Sequence, residues 1–98
     1  MAIEVRWTIQ SINDIISIAQ FISENSPYYS QVQSERFFQR VSVLRDHPRS
    51  GRVVPETDEE HIRELIEGNY RIIYRIVSEQ RIDVLTVHHS SRLLKNIQ

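Results

Sequence analysis

The chain has 98 residues, a length that suits one domain with a single core. Its 40% hydrophobic and 26% charged residues are typical of an ordinary soluble globular protein and argue against a disordered chain. The absence of cysteine excludes disulfide bonds and thiolate metal sites, and the net charge of −1 argues against a surface built wholly for nucleic acid.

The N-terminal segment predicts a strand. Residues 2 to 7 alternate, with Ile3, Val5 and Trp7 on one side, which is the period-2 pattern of a half-buried strand. The same segment lacks the basic start and the apolar run of a signal peptide, and no part of the chain is apolar over the length that spans a bilayer. We therefore expect a cytoplasmic protein that does not contact a membrane.

Two helices are predicted next. From Thr8 onward apolar residues recur at three- and four-residue steps, which predicts a helix over residues 9–24. Ser26 and Pro27 suit the start of a second helix, since serine caps free N–H groups and proline is tolerated at the first helical position. This helix ends before Pro48, because a proline disfavours the helical conformation of the residue before it. The two helices should form a hairpin.

The last half of the chain predicts a loop and three strands. Residues 48 to 61 contain two prolines and a glycine and are predicted to form the loop. A short strand over residues 61–67 turns at Gly68, and two more strands are joined near Glu79. The order is β-α-α-β-β-β, an α+β fold in one domain over residues 1–98. Its small, mostly antiparallel sheet carries the helical hairpin on one face.

Cations are placed at regular positions on the last two strands. Arg71 and Arg75 share a parity, so they point to the same face, which we expect to be the face without helices. A two-residue turn between the strands places Arg71 opposite His88, whereas a turn longer by one residue places it opposite His89. The turn sequence leaves this choice open. In either register one arginine and one histidine lie within reach of each other.

Two interpretations of this pair remain open. An arginine can hold a phosphate or a carboxylate and a histidine can transfer protons near neutral pH, but both residues can equally lie on the wet rim of an ordinary sheet. No metal site is expected, because His88 and His89 point to opposite faces and the other two histidines stand at loop edges. No cofactor is expected, since two glycines are too few for a phosphate-binding loop or a serine nucleophile motif.

Six short motifs in order resemble one known family. They are Trp7-Thr8 before the first helix, "SP" between the helices, "LRDHPRSGR" at residues 44–52, "REL" at 63–65, "GNYRIIYR" at 68–75 and "VHHSSR" at 87–92. Together they cover essentially the whole chain and resemble the RelE/ParE family of bacterial type II toxins, which includes plasmid stabilisation proteins. The resemblance implies the same β-α-α-β-β-β fold. It also implies a cognate antitoxin that wraps the toxin and through which the pair contacts its operator DNA.

The family divides by target. RelE-like members cleave mRNA on the ribosome, and in that branch the resemblance gives Arg71 the role of contacting the scissile phosphate and His89 the role of a proton carrier. ParE-like members instead inhibit DNA gyrase. For either target, the arginines that the resemblance and the spacing offer for binding the target or an anion are Arg49, Arg52, Arg71, Arg75 and Arg92.

The sequence departs from the nuclease pattern. Ser90 stands where some nucleases have a catalytic tyrosine, no lysine lies near residues 49 to 60, and no general-base glutamate can be aligned. Ester transfer at phosphate needs a proton acceptor, a proton donor and charge stabilisation, of which Arg71 and His89 would supply a part. We therefore favour a ParE-like toxin that binds gyrase without catalysis of its own. The alternatives are a RelE-like endoribonuclease and a degenerate relative that has lost toxicity.

Overall fold

The computed structural model describes residues 3–91, which form two helices, a short 3-10 turn and five strands. The order is β1 Glu4–Trp7, α1 Ile9–Ser23, α2 Pro27–Ser42, the 3-10 turn Val43–Arg45, β2 Arg52–Val53, β3 Ile62–Glu67, β4 Tyr70–Ser78 and β5 Arg81–His89. Neither of these helices is long and apolar enough to cross a membrane.

Both helices begin at the residues that the sequence predicts. The hydroxyl of Thr8 accepts a hydrogen bond from the Ser11 N–H at 3.1 Å. The Ser26 hydroxyl accepts from Tyr29 N–H at 3.2 Å, with Pro27 at the first helical position. Each cap satisfies one N–H group that the helix leaves unpaired. The predicted helical hairpin is therefore confirmed.

The five strands form one sheet in the order β1-β5-β4-β3-β2. Strand β1 pairs with β5 in parallel, and all other neighbours are antiparallel. The predicted order lacked β2, which lies inside the predicted loop and pairs Arg52 with Glu64 and Val53 with Arg63. Sequence alternation cannot reveal a strand of two residues, because two residues are too few to establish a period.

Each face of the sheet carries its own apolar cluster. The larger cluster packs the helices on the sheet and includes Phe37, Leu44 and Ile72. A smaller cluster of Val54, Ile62 and Ile73 lies on the other face, beneath the segment after β2. The face without helices, where we predicted Arg71 and Arg75, is therefore partly covered by this segment.

Two irregularities set the register of β4 against β5. Val77 is an extra residue on β4 between the pairs Ile76-Ile82 and Ser78-Arg81, and Leu85 is an extra residue on β5. One extra residue on each strand offsets the other. Arg71 therefore lies opposite His88, the pairing that a simple two-residue turn predicts, and Tyr70 lies opposite His89.

Candidate functional site

Arg71 is the centre of a buried group of charges on the face without helices. Its side chain is only 7% exposed, and its Nε and Nη2 contact Glu64 Oε1 at 2.6 and 2.5 Å. On its outer edge, Nη1 and Nη2 each donate to one oxygen of Glu56, both at 2.8 Å. Hydrogen bonding to Glu56 is the main cause that raises the pKa of Arg71 above its ordinary value, so the guanidinium stays charged.

The group continues through Glu64 to a fourth charge. Glu64 is fully buried on β3, and its Oε2 accepts from Arg52 Nε of β2. Each Glu64 oxygen therefore holds one arginine, and two cations balance two anions. Since an isolated buried charge is very costly, each buried member depends on the presence of the others.

The segment between β2 and β3 places Glu56. Val54 is fully buried, and its carbonyl oxygen accepts from Thr57 Oγ1 at 3.2 Å and from Asp58 N–H at 3.0 Å. Asp58 has a φ of 52°, a left-handed conformation that aspartate tolerates better than most residues. This turn folds the segment back over the sheet and brings Glu56 to Arg71.

A small pocket opens beside the Arg71-Glu56 pair. Its volume is about 380 Å³, and its lining combines charged residues with apolar ones. They are Arg52, Pro55, Glu56, Ile66, Arg71 and Ser90. Arg52 is the exposed cation of this pocket, with 64% of its side chain accessible.

His88 is held by a chain of hydrogen bonds that reaches α1. The Thr86 hydroxyl donates to Asp14 Oδ2 at 2.5 Å, and His88 Nε2 lies 3.2 Å from the same hydroxyl oxygen. Because the hydroxyl has a single proton, His88 Nε2 is the donor to Thr86, which places the imidazole proton on Nε2. Asp14 also accepts from the Val87 N–H at 3.0 Å.

His89 lies on the other side of the sheet from Arg71. Its ring packs edge-to-face on Tyr70, with ring centroids 5.7 Å apart, and Tyr70 packs in turn on Phe37 of α2. Its Nδ1 accepts from the Ser91 N–H at 3.2 Å. The predicted pair of Arg71 and His89 is therefore not brought together, because adjacent strand residues face opposite ways and His88 takes the position beside Arg71.

A second groove lies between α1 and the end of β5. It has a volume of about 620 Å³. Its apolar residues are Ile18, Phe21, Tyr70 and Val87, and its polar residues include Gln10, Asp14, both histidines and Ser91.

The other predicted arginines do not converge on one site. Arg49 donates to Glu60 at 2.6 Å on the surface. Arg75 lies on the same strand as Arg71, opposite Ile62 on one side and Asp83 on the other. Arg92 lies outside the described residues. Among the described residues no group of three His, Cys, Asp or Glu side chains could hold a metal ion.

Tyr74 and Gly51 attach the segment before β2 to the sheet. The fully buried Tyr74 hydroxyl donates to the Pro48 carbonyl at 2.8 Å and accepts from the Gly51 N–H at 3.0 Å. A Cβ on Gly51 would lie 2.5 Å from the Glu64 carbonyl oxygen, so this close approach requires glycine. Burial is the main cause that raises the pKa of the Tyr74 hydroxyl above 10.0.

Sequence reasoning missed the residues that hold the arginine and the histidine. Glu56 and Glu64 hold Arg71, while Asp14 and Thr86 hold His88. Glu64 gave one usable signal, because an acidic residue at an alternating position between Ile62 and Ile66 faces the same way as those apolar residues. Glu56 gave none, since its position depends on the turn at Asp58.

Comparison with known proteins gives a consistent result. A family model described as the ParE toxin of the type II toxin-antitoxin system parDE matches residues 5–94. Toxin RelE2 of Caulobacter vibrioides is 26% identical over 90 residues, which are 92% of this chain and 98% of that protein.

Two solved structures have a similar fold. The chromosomal ParDE toxin-antitoxin system from P. aeruginosa matches with a TM-score of 0.72 and 16% identity, over 90% of this chain and 96% of that chain. The RelBE2 toxin-antitoxin complex from Mycobacterium tuberculosis matches with a TM-score of 0.58 and 24% identity, over 91% and 99%. These likenesses confirm the predicted α+β fold.

Proposed function

This chain belongs to the ParE toxin family of type II toxin-antitoxin systems, and on that basis we propose that it inhibits growth by binding DNA gyrase, without catalysis of its own. The proposal that the protein has no catalysis of its own rests on the surroundings of Arg71. Its guanidinium is enclosed by two carboxylates, at 2.5 to 2.8 Å, on the inner and the outer edge.

A nuclease needs that guanidinium for the phosphate. Stabilising a transition state depends on donors that already point at the position where negative charge develops. In this protein Glu56 occupies the outer donors of Arg71, and His89 lies behind the sheet. Both facts support inhibition by binding over cleavage of RNA.

A cognate antitoxin is the second proposed partner. The helices leave large apolar side chains exposed, and such residues call for a covering partner when they cluster. The exposed apolar residues of α1 and α2 are Ile9, Ile16, Phe21, Tyr28, Tyr29 and Phe38. We propose that the antitoxin covers this surface, as a helix or a strand, and that operator DNA is contacted only through it. Both solved relatives are toxin-antitoxin systems.

The deciding experiment is short induction in growing cells with two parallel readouts. We expect chromosomal breaks with gyrase covalently attached and no early change in mRNA. In a separate assay the purified toxin should inhibit DNA supercoiling by purified gyrase. We expect the cognate antitoxin to be a small acidic protein encoded beside the toxin, and its co-expression should restore growth. Robust growth at high expression of the toxin alone would contradict active toxicity.

A RelE-like ribosome-dependent endoribonuclease remains the second candidate, and one observation favours it. His88, whose imidazole is oriented by Thr86 and Asp14, lies directly across the ladder from Arg71. Codon-specific cleavage of mRNA at ribosomal A-sites, within minutes of induction and with gyrase unaffected, would establish this function and overturn the first.

A further inference from the structure

The two carboxylates on Arg71 differ in how easily they can leave. The Glu64 side chain is completely buried on β3 and also binds Arg52. The Glu56 side chain is 23% exposed and comes from a segment outside any strand. Glu64 is therefore a fixed part of the sheet, whereas Glu56 lies at the outer edge of the group, where its side chain can rotate toward solvent.

The geometry of the outer contact is that of ligand recognition. Two parallel N–H···O bonds of 2.8 Å join the guanidinium fork to both Glu56 oxygens, which is the bidentate arrangement that arginine makes with a planar carboxylate. The adjoining pocket of about 380 Å³ adds Arg52 as a second cation and the apolar walls of Pro55 and Ile66. These walls suit the methylene groups of an acidic side chain.

The local charge favours one carboxylate over a polyanion. Without Glu56, the two arginines and Glu64 leave a net charge of +1, which matches a single carboxylate. Asp58 and Glu59 lie close behind Glu56 on the same segment and add negative charge beside the site, whereas Glu60 is paired with Arg49. This added negative charge disfavours a nucleic-acid backbone that carries many phosphates.

The outer edge of Arg71 needs a carboxylate at all times. Removing one partner of a buried ion pair leaves an uncompensated charge, so opening without a substitute is strongly unfavourable. An incoming carboxylate makes the same two hydrogen bonds and removes this cost. The process is therefore an exchange of one carboxylate for another.

We propose that Glu56 occupies a carboxylate-binding site centred on Arg71, and that an acidic side chain of a protein partner displaces it on binding the face of the sheet without helices. Glu56 then acts as an internal competitor that keeps the site closed in the free protein. This inference goes beyond the proposed function, because it holds whichever protein is the target.

The test replaces the internal carboxylate with one supplied in solution. In the purified full-length chain, Glu56→Ala should bind acetate at least about tenfold more tightly than the native protein, in which the open state is a minor population. Binding is followed by the side-chain Nε-Hε NMR signal of Arg71 and by the thermal midpoint, against sodium chloride at equal ionic strength.

Glu60→Ala is the matched control, since Glu60 lies on the same segment and its removal changes the charge equally. Its carboxylate binds the exposed Arg49 at 2.6 Å, so acetate should affect this variant no more than the native protein. Equal responses of the two variants would overturn the proposal. If Glu56→Ala does not fold, Glu56→Ser is measured in the same way.

A second ligand separates the chemical classes. Inorganic phosphate should bind Glu56→Ala no more tightly than acetate does, because the opened site carries one net positive charge. Clearly tighter binding of phosphate would overturn the assignment to a protein carboxylate and would point to a nucleic-acid backbone.

Discussion

Arg71 stabilises the folded structure, in addition to any role in binding a ligand. Its side chain holds Glu64 and Glu56 at 2.5 to 2.8 Å, and Glu64 has no access to solvent. Loss of function on substitution of Arg71 would therefore not by itself identify a catalytic group, because a buried carboxylate would be left without its cation.

Arg71→Ala should lower the free energy of unfolding by about 3–5 kcal/mol, the typical cost of removing one partner from a buried ion pair. Urea denaturation of the purified protein measures this loss. Arg52→Ala is the comparison at the other end of the group. Its side chain is 64% exposed and Glu64 keeps Arg71 when Arg52 is removed, so the loss should be smaller, about 1–3 kcal/mol. Similar losses for the two variants would contradict the assigned burial.

For single residues, the sequence predicted the face of the sheet on which a side chain lies but not whether that side chain is buried. Strand parity placed Arg71 and Arg75 on one face and one histidine beside Arg71, because alternation is a property of the backbone alone. It did not predict that Arg71 would be buried. That outcome depends on Glu56, and therefore on the left-handed turn at Asp58, which no periodic pattern reports.

Among the elements, the segment from Pro48 to His61 depends on β4 for its position. Tyr74 of β4 bridges the Pro48 carbonyl and the Gly51 N–H through one buried hydroxyl. Arg63 of β3 adds a hydrogen bond of 2.9 Å to the Gly51 carbonyl. The segment that carries Glu56 over Arg71 is thus fixed at its N-terminal end by the sheet.

Tyr74→Phe tests this attachment. The variant leaves the two backbone groups without a partner, so the free energy of unfolding should fall by about 1–3 kcal/mol. Tyr28→Phe, at a residue that is 70% exposed, should change it by no more than about 0.5 kcal/mol. A neutral result for Tyr74→Phe would show that water replaces the hydroxyl.

The same variant should alter the dependence of stability on pH. Burial raises the pKa of Tyr74 in the folded state above the ordinary value of 10.0. Its contribution to stability is therefore complete below pH 10.0 and is lost as the pH rises through the folded-state pKa. Unfolding curves across this alkaline range should fall less steeply for Tyr74→Phe than for the native protein.

The helices and the long strands could be predicted from the sequence, whereas the short strand β2 and the bulges could not. The caps at Thr8 and Ser26 predicted where α1 and α2 begin, but α2 ends at Ser42, before the stop that Pro48 predicts, and a 3-10 turn follows it. The extra residues Val77 and Leu85 gave no signal, because a bulge is a choice of hydrogen bonds between two strands and not a property of one. The observed register was nevertheless one of the two that the sequence predicted, because the two bulges offset each other.

For the molecule as a whole, the two adjacent histidines serve opposite faces. By strand register His88 lies on the face of Arg71 and His89 on the face of the helices, and both line the groove beside α1. If growth inhibition works through binding, neither residue is a general acid or base, and the toxin should tolerate the loss of either imidazole.

His88→Ala and His89→Ala should therefore each retain growth inhibition to within a few-fold, measured as colony survival at matched protein levels. General acid-base catalysis typically contributes about 10²–10⁴-fold, so a loss of that size in a variant that folds normally would restore the endoribonuclease hypothesis.

The parallel pairing of β1 with β5 imposes an order on folding. Glu4 to Trp7 pair with Arg81 to Val84, so β1 receives its partner only after β5 has been made. Closing so long a loop is slow, as is usual for pairings between distant segments. The helical hairpin can form early, but the sheet that carries Arg71 is completed last. The toxin therefore acquires its finished surface only after β5 has been translated.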